Sequence, residues 1–205
     1  MIYQEPTVYK APNVYKGQAG GGGSEILGLQ FGGLVYPVAK IGNKYWTTQN
    51  LLFYDGTMTH SGTITNSSKQ YVEHGGGGSL DYSYGLYYNQ KSIEYIDTLL
   101  TDGWRVPFKS DVQDLVDTIG GNNKGRDIIS FAYGGNKQTE FNLYAFGRIY
   151  VSTTFDFDNV AYLFSKTVEN TRFQGIKITR NTDTINAASA IIDQSAILLR
   201  LCKDA

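Results

Sequence analysis

Apolar residues recur along this chain at two spacings, and the switch between them marks its elements. Val112, Leu115, Val116 and Ile119 fall at i, i+3, i+4 and i+7, one stripe of a helix. Ser110 and Gln113 have the spacing of a capping box at its start, and Asp111 and Asp114 suit the positive end of the helix dipole. Gly120-Gly121 then stops it, so a helix of two to three turns is predicted. Ile93, Ile96, Leu99 and Leu100 give a second helical face over Gln90 to Thr101. Elsewhere the apolar runs are short. Leu34 to Ile41 and Lys44 to Thr48 flank Gly42-Asn43, a β-hairpin signal. Phe141 to Tyr144, Gly147 to Ser152, Asn159 to Phe164, Phe173 to Ile178 and Ala196 to Leu201 read as strands separated by polar turns. Asp55 to Ser79 is polar and Gly-rich and reads as a long surface loop. Two helices among short, mainly antiparallel strands define an α+β domain.

The first sixteen residues follow a different rule. E-P-T-V-Y-K at Glu5 to Lys10 is echoed by A-P-N-V-Y-K at Ala11 to Lys16, so Pro6 and Pro12, and Tyr3, Tyr9 and Tyr15, recur every six residues. Each proline disfavours helix at the residue before it, so the segment is expected to be extended. Residues 1–16 therefore read as an arm that docks on a partner by strand addition or by Tyr side chains in pockets, with Tyr3, Pro6, Tyr9, Pro12 and Tyr15 as the anchoring residues. Residues 17–24 form a Gly-rich tether, and residues 25–205 form the folded domain. The string GGGGS occurs in that tether and again at Gly75 to Ser79. The first separates arm from domain; the second lies in a surface loop of one domain, where insertions are tolerated.

Composition narrows the function classes. A formal charge of -1 gives no electrostatic footprint for nucleic acid. Cys202 is the only cysteine, which excludes an intramolecular disulfide and a Cys-based metal cluster. The N-terminal residues show no signal-peptide pattern, and no run reaches membrane-spanning length, so no membrane insertion is expected. Sixteen Tyr in a chain with 18% charged residues suit strand-rich architecture and contact surfaces.

Five segments in order resemble a known family. Ile41-Gly-Asn-Lys-Tyr-Trp-Thr-Thr-Gln-Asn-Leu51 resembles the opening of the Fibrobacter succinogenes major paralogous domain. Tyr84-Gly-Leu-Tyr-Tyr-Asn89, Asp102-Gly-Trp-Arg-Val-Pro107 with Ser110 to Leu115, Val151-Ser-Thr-Thr154 and Leu199-Arg-Leu-Cys-Lys-Asp204 are similar to its later motifs. The resemblance runs from near Leu34 to the C-terminus and implies a C-type-lectin-like fold, which is also similar to that of the formylglycine-generating, sulfatase-modifying group. Such a fold hosts binding more often than chemistry. The family's Cys-Pro before the GW motif is replaced here by Thr101-Asp102, which leaves Cys202 unpaired, and two of its motif tryptophans are replaced by Asn89 and Val151.

Catalytic candidates are few. Cys202 reads as a small core residue, and Trp46 and Trp104 as core anchors. His60 and His74 sit in the polar loop region with no carboxylate-rich neighbourhood, and read as solvated. Asp156, Asp158 and Asn159 could supply calcium ligands, but the E-P-N and W-N-D lectin motifs are absent from the domain. Gly120 to Gly125 lacks the G-K-[ST] ending of a phosphate loop and reads as a helix stop. Arg105 is expected to pair locally with Asp102. No catalytic residue, metal or cofactor is expected.

A binding fold, a repeated arm, a tether and no export signal together give the expectation of a non-enzymatic phage virion protein, a head or tail fibre or decoration protein. Its arm would anchor to capsid or tail proteins, and its domain would face a host surface or glycan as a homo-oligomer, a trimer or dimer. The alternatives are a bacterial cell-surface or secreted adhesin and, less favoured, a formylglycine-generating type of enzyme. The polar loops Asp55 to Ser79 and Gly120 to Thr139 are the expected outer contact surface.

Overall fold

The computed structural model describes residues 28–73, 85–129, 135 and 141–205; the arm, the tether and both GGGGS strings lie outside them. Within the described residues the domain is α+β, with few helices and many antiparallel strands.

The chain enters through a hairpin of β1 (Leu29–Phe31) and β2 (Leu34–Tyr36). The sequence pattern suggests one strand from Leu34 to Ile41, but Pro37 divides it, because proline has no N–H to donate to a ladder. Beyond it, β3 (Val38–Ile41) and β4 (Lys44–Thr47) form the expected hairpin, and Gly42 takes φ +61° at its turn. The last strand, β14 (Cys202–Asp204), pairs with β4, so the C-terminal residues close against the start of the domain.

A six-stranded sheet runs β5 (Thr59–His60), β6 (Gln70–Glu73), β7 (Leu86–Tyr88), β13 (Ser195–Leu198), β8 (Arg148–Tyr150), β9 (Thr153–Phe155), and only its β5–β6 pair is parallel. A separate three-stranded sheet holds β10 (Val160–Glu169), β11 (Arg172–Thr179) and β12 (Ile185–Ile191). Alternate residues of β10 enter different cores. Ala161 and Leu163 face Val112, Leu115 and Val116 of a helix, while Phe164 joins Phe173, Ile93 and Trp104 on the other side.

Both expected helices form. α1 (Gln90–Leu99) buries Ile93 and Ile96, but Leu99 is exposed and Leu100 lies past the helix end, so the apolar face is narrower than its spacing suggests. α2 (Lys109–Thr118) buries Val112, Leu115 and Val116, and Gly120 and Gly121 follow it at positive φ. Its start differs from the expectation. The N-cap is Phe108, and the Asp111 carboxylate accepts from the Phe108 N–H at 2.8 Å, so the acid in the first turn does the work assigned to Ser110 and Gln113. A third, one-turn helix, α3 (Gly125–Ile128), follows.

Two further expectations change, and one strand forms that the sequence pattern does not predict. The stretch from Asp55 is not all surface loop: it contains β5 and β6 and buries Met58, Ile64 and Gln70. Asn89 gathers it in, accepting from the Gln70 N–H at 3.0 Å and donating to the Thr65 and Ser68 carbonyls at 2.7 and 2.8 Å, while also capping α1 through the Ser92 N–H. Phe141 to Tyr144 alternates like a strand but makes only a single bridge, Leu143 to Ile129, because Asn142 has φ +49° and its carbonyl and that of Phe141 turn to Arg200. Finally, β12 forms over N-A-A-S-A, whose small residues carry little strand propensity; its seven registered pairs with β11 supply the strand instead.

Leu115 is 2% exposed between α2 and the β10 sheet. Leu115→Ala is expected to lower unfolding free energy by about 2 to 5 kcal/mol, read as a shift in denaturant midpoint at constant slope.

Candidate functional site

The residues that look most like chemistry in the sequence converge, but on each other. Arg105 donates to both Asp111 carboxylate oxygens, at 2.9 and 3.2 Å, and to Asp204 at 2.9 Å; it does not pair with Asp102 as expected. Asp102 takes φ +56° in the turn, and two buried or C-terminal carboxylates already occupy the guanidinium. Lys44 reaches Asp111 and Asp204 at 3.1 Å and Asp114 at 3.4 Å. Burial alone would raise the Asp111 pKa, but the Arg105 guanidinium, the Phe108 amide and the Lys44 ammonium hold it at about 2.

Cys202 packs against this cluster, fully buried, with Sγ 3.5 Å from an Asp111 oxygen. Burial and the adjacent carboxylate push its thiol well above the ordinary range, the reverse of what activates a nucleophile. Trp46 and Trp104 are buried, as expected of core anchors. His60 is exposed, with Nε2 3.9 Å from Glu73, and His74 lies outside the described residues, as do Tyr3, Pro6, Tyr9, Pro12 and Tyr15. Gly120-Gly121 acts as the helix stop, and much of Gly120 to Thr139 beyond residue 129 lies outside the described residues.

Asp156 and Asp158 do not converge on a common point. Asp156 accepts from the Tyr162 hydroxyl, while Asp158 pairs with Arg180 at 3.2 Å. Among the described residues no group of three or more His, Cys, Asp or Glu is arranged to hold a metal ion. These aspartates instead pin a loop that displays two aromatic rings. Phe155 and Phe157 are 42% and 41% exposed, large values for phenylalanine on a small domain. Phe157 stacks at 5.7 Å on Phe146, which stacks at 5.2 Å on Tyr144, and Tyr150 meets Phe155 edge-on at 5.9 Å.

The loop is held at both ends. Val151 has φ +58°, an unusual conformation for a β-branched residue, fixed by its N–H donating to the Gln194 carbonyl and its carbonyl accepting from Ile64. Asp156 and Asp158 are also at positive φ, and the Asp156 carbonyl accepts from the Val160 N–H at 2.9 Å. Below, the Phe155 carbonyl passes Gly147 so closely that a Cβ there would lie 1.9 Å from it. The result is a fixed aromatic rim flanked by carboxylates, Tyr150 and Gln194, suited to contact with a flat apolar or hydroxyl-bearing face. The sequence carried a trace of it in the alternation F-D-F-D at residues 155–158, which reads equally as potential ion ligands.

Two outcomes check this geometry. Asp111 is held at about 2, below its unfolded value near 3.8, so its contribution is present above about pH 4 and lost as pH falls toward 2. Asp111→Asn should cost about 2 to 3 kcal/mol at neutral pH, with the gap to wild type closing toward pH 2 in urea titrations. Gly147→Ala should cost roughly 2 kcal/mol or more, because it meets both the positive φ and the Phe155 carbonyl; thermal unfolding measures it.

Comparison with protein-family models, with curated proteins and with solved structures finds no match to this chain.

Proposed function

We propose that this chain is a non-enzymatic phage virion protein of the fibre or decoration type, whose C-type-lectin-like domain is displayed outward for attachment to a host surface or its glycans. The observation that carries the binding reading is the fixed aromatic rim, with Phe155 and Phe157 turned to solvent. The reactive-looking groups support it from the other side: Cys202, Asp111 and Arg105 are engaged in holding segments together. Few helices among mainly antiparallel strands, with β14 closing against β4, are consistent with the lectin-like resemblance. Particle attachment rests on the sequence of the arm, where the repeated Tyr and Pro positions suit docking along a larger assembly, and on the Gly-rich tether that follows. Symmetric assembly as a dimer or trimer would multiply weak contacts at the rim.

Deleting residues 1–16 should abolish incorporation into particles, scored in purified virions, while leaving the domain's unfolding transition unchanged. Normal incorporation of the truncated chain would sink the particle reading. A Phe155→Ala/Phe157→Ala variant should incorporate normally yet adsorb to host cells at least about tenfold more weakly.

A further inference from the structure

The sheet of β10, β11 and β12 has two edges, and they differ in cover. At the β10 edge the Val160 carbonyl accepts from the Gly147 N–H at 3.0 Å, and the Lys166 N–H donates to the Pro107 carbonyl at 2.8 Å. The β12 edge is more open. The Ile192 N–H donates to the Thr171 carbonyl at 3.1 Å, one step beyond the β11–β12 register, so the even-numbered residues of β12 bond to β11. The main-chain groups of its odd-numbered residues therefore turn away from the sheet. Some are taken: the Ile185 N–H donates to the Asn122 carbonyl at 2.8 Å, and the Ser189 carbonyl accepts from the Arg148 guanidinium at 2.6 Å. The Ile185 carbonyl, both groups of Ala187 and the Ser189 N–H have no partner among the described residues.

The strand itself does not guard this edge. Thr184 to Ile192 contains no charged residue and no proline, and its register with β11 runs without a bulge. Asn186 and Ala187 are exposed. Edge strands normally carry such guards, because open main-chain groups template another strand. Small side chains at Ala187, Ala188 and Ser189 leave that strand room to approach.

The pattern of free and occupied groups fits one partner. Let β12 meet another β12 antiparallel, with Ala187 opposite Ala187; Ile185 then faces the partner's Ser189. The two Ala187 residues exchange N–H···O bonds, and each Ser189 N–H donates to the partner's Ile185 carbonyl. The groups left facing each other are the Ile185 N–H and the Ser189 carbonyl, the ones already bonded within each chain. An unrelated strand on this edge would leave an acceptor facing the engaged Ile185 N–H and a donor facing the engaged Ser189 carbonyl. No like charges come opposite each other, since the paired stretch carries none.

We infer that β12 is a docking edge for β12 of a second copy of this chain, the two strands pairing about a two-fold axis at Ala187 to join two sheets into one. It goes beyond the attachment reading: it concerns a different surface from the aromatic rim and holds for the domain whatever that domain attaches to. Two strands of this length bury far less than the roughly 1,600 Å² of a standard interface, so the dimer is reversible.

Sedimentation equilibrium of the full chain between about 1 μM and 1 mM should show monomer passing to dimer. Ala187→Pro removes an outward N–H and leaves the bonds to β11 in place, so it should weaken dimerisation at least about tenfold with a near wild-type unfolding midpoint. Ala187→Lys and Ala187→Glu give an independent check, since each alone sets like charges face to face. Either variant should be monomeric, and an equal mixture should dimerise. The inference is overturned by a chain that stays monomeric throughout or forms trimers, by a dimer indifferent to all three substitutions, or by a mixture no more associated than its parts. A dimer lost on deleting residues 1–16 also overturns it, because the arm would then be the occupant of the edge. Incorporation into particles and adsorption to host cells are separate readouts, so the two readings fail separately.

Discussion

The fold turns on a buried arginine that pairs with no carboxylate among the described residues. Arg200 is 1% exposed, and its guanidinium donates to the Asn50 side chain at 2.7 Å and to the carbonyls of Thr47, Phe141 and Asn142 at 3.1, 3.2 and 2.8 Å. Burial pushes its pKa down to about 9, so it stays protonated at neutral pH, solvated by protein dipoles instead of water. The Phe141 ring lies 5.2 Å away and adds a favourable face. The segment at 141–147 buries Phe141, Leu143, Ala145 and Phe146 with almost no ladder of its own. Backbone carbonyls buried without a ladder need another donor, and Arg200 is that donor. Lysine could not replace it, since a point ammonium cannot span acceptors on two chain segments as a planar fork does.

The charged counterpart of this arrangement, largely covered, is the cluster of Lys44, Arg105, Asp111 and Asp204. It ties β4, the turn before α2, the first turn of α2 and β14 into one polar seam, and Arg105 and Cys202 reinforce it with a pair of backbone bonds. Asp111 serves twice, as the acceptor that starts α2 and as the charge that holds two cations. Next to these lies a third junction, where the Leu51 N–H donates to Leu199 and the Leu86 N–H to Leu51. Gly85 is needed there, because a Cβ would lie 2.4 Å from that of Asn50.

These junctions explain which parts of the domain were legible in the sequence. Helices α1 and α2 and the β3–β4 hairpin were readable because period, stop signals and turn glycines agree locally. The Phe141 to Tyr144 pattern misled because its alternation is real but its carbonyls are claimed by a residue 58 and 59 positions away. The β12 strand was hidden because alanine and serine say little, and its partner β11 says nearly everything. Asn89 stands where the resembled motif has tryptophan, yet an Asn just before a helix is a cap signal, and in the fold it also organises residues 65–70. Arg105 was given the nearest acid in the chain rather than the nearest in space.

Four of the five segments that stand out in the sequence hence meet in space as structure. Asn50, Gly85, Arg105, Asp111, Arg200, Cys202 and Asp204 all bind one another or one another's neighbours. Groups spent in this way have little freedom to meet a ligand, since releasing any one of them strands a buried partner. Capacity for recognition then falls to positions that the framework holds but does not consume. The rim carries Phe155 and Phe157 on a loop held by bonds from Ile64 and Tyr162 and by the Val151 N–H donating to the Gln194 carbonyl. There a rigid support is paired with exposed aromatic surface, a combination that lets a surface bind without first paying to order itself.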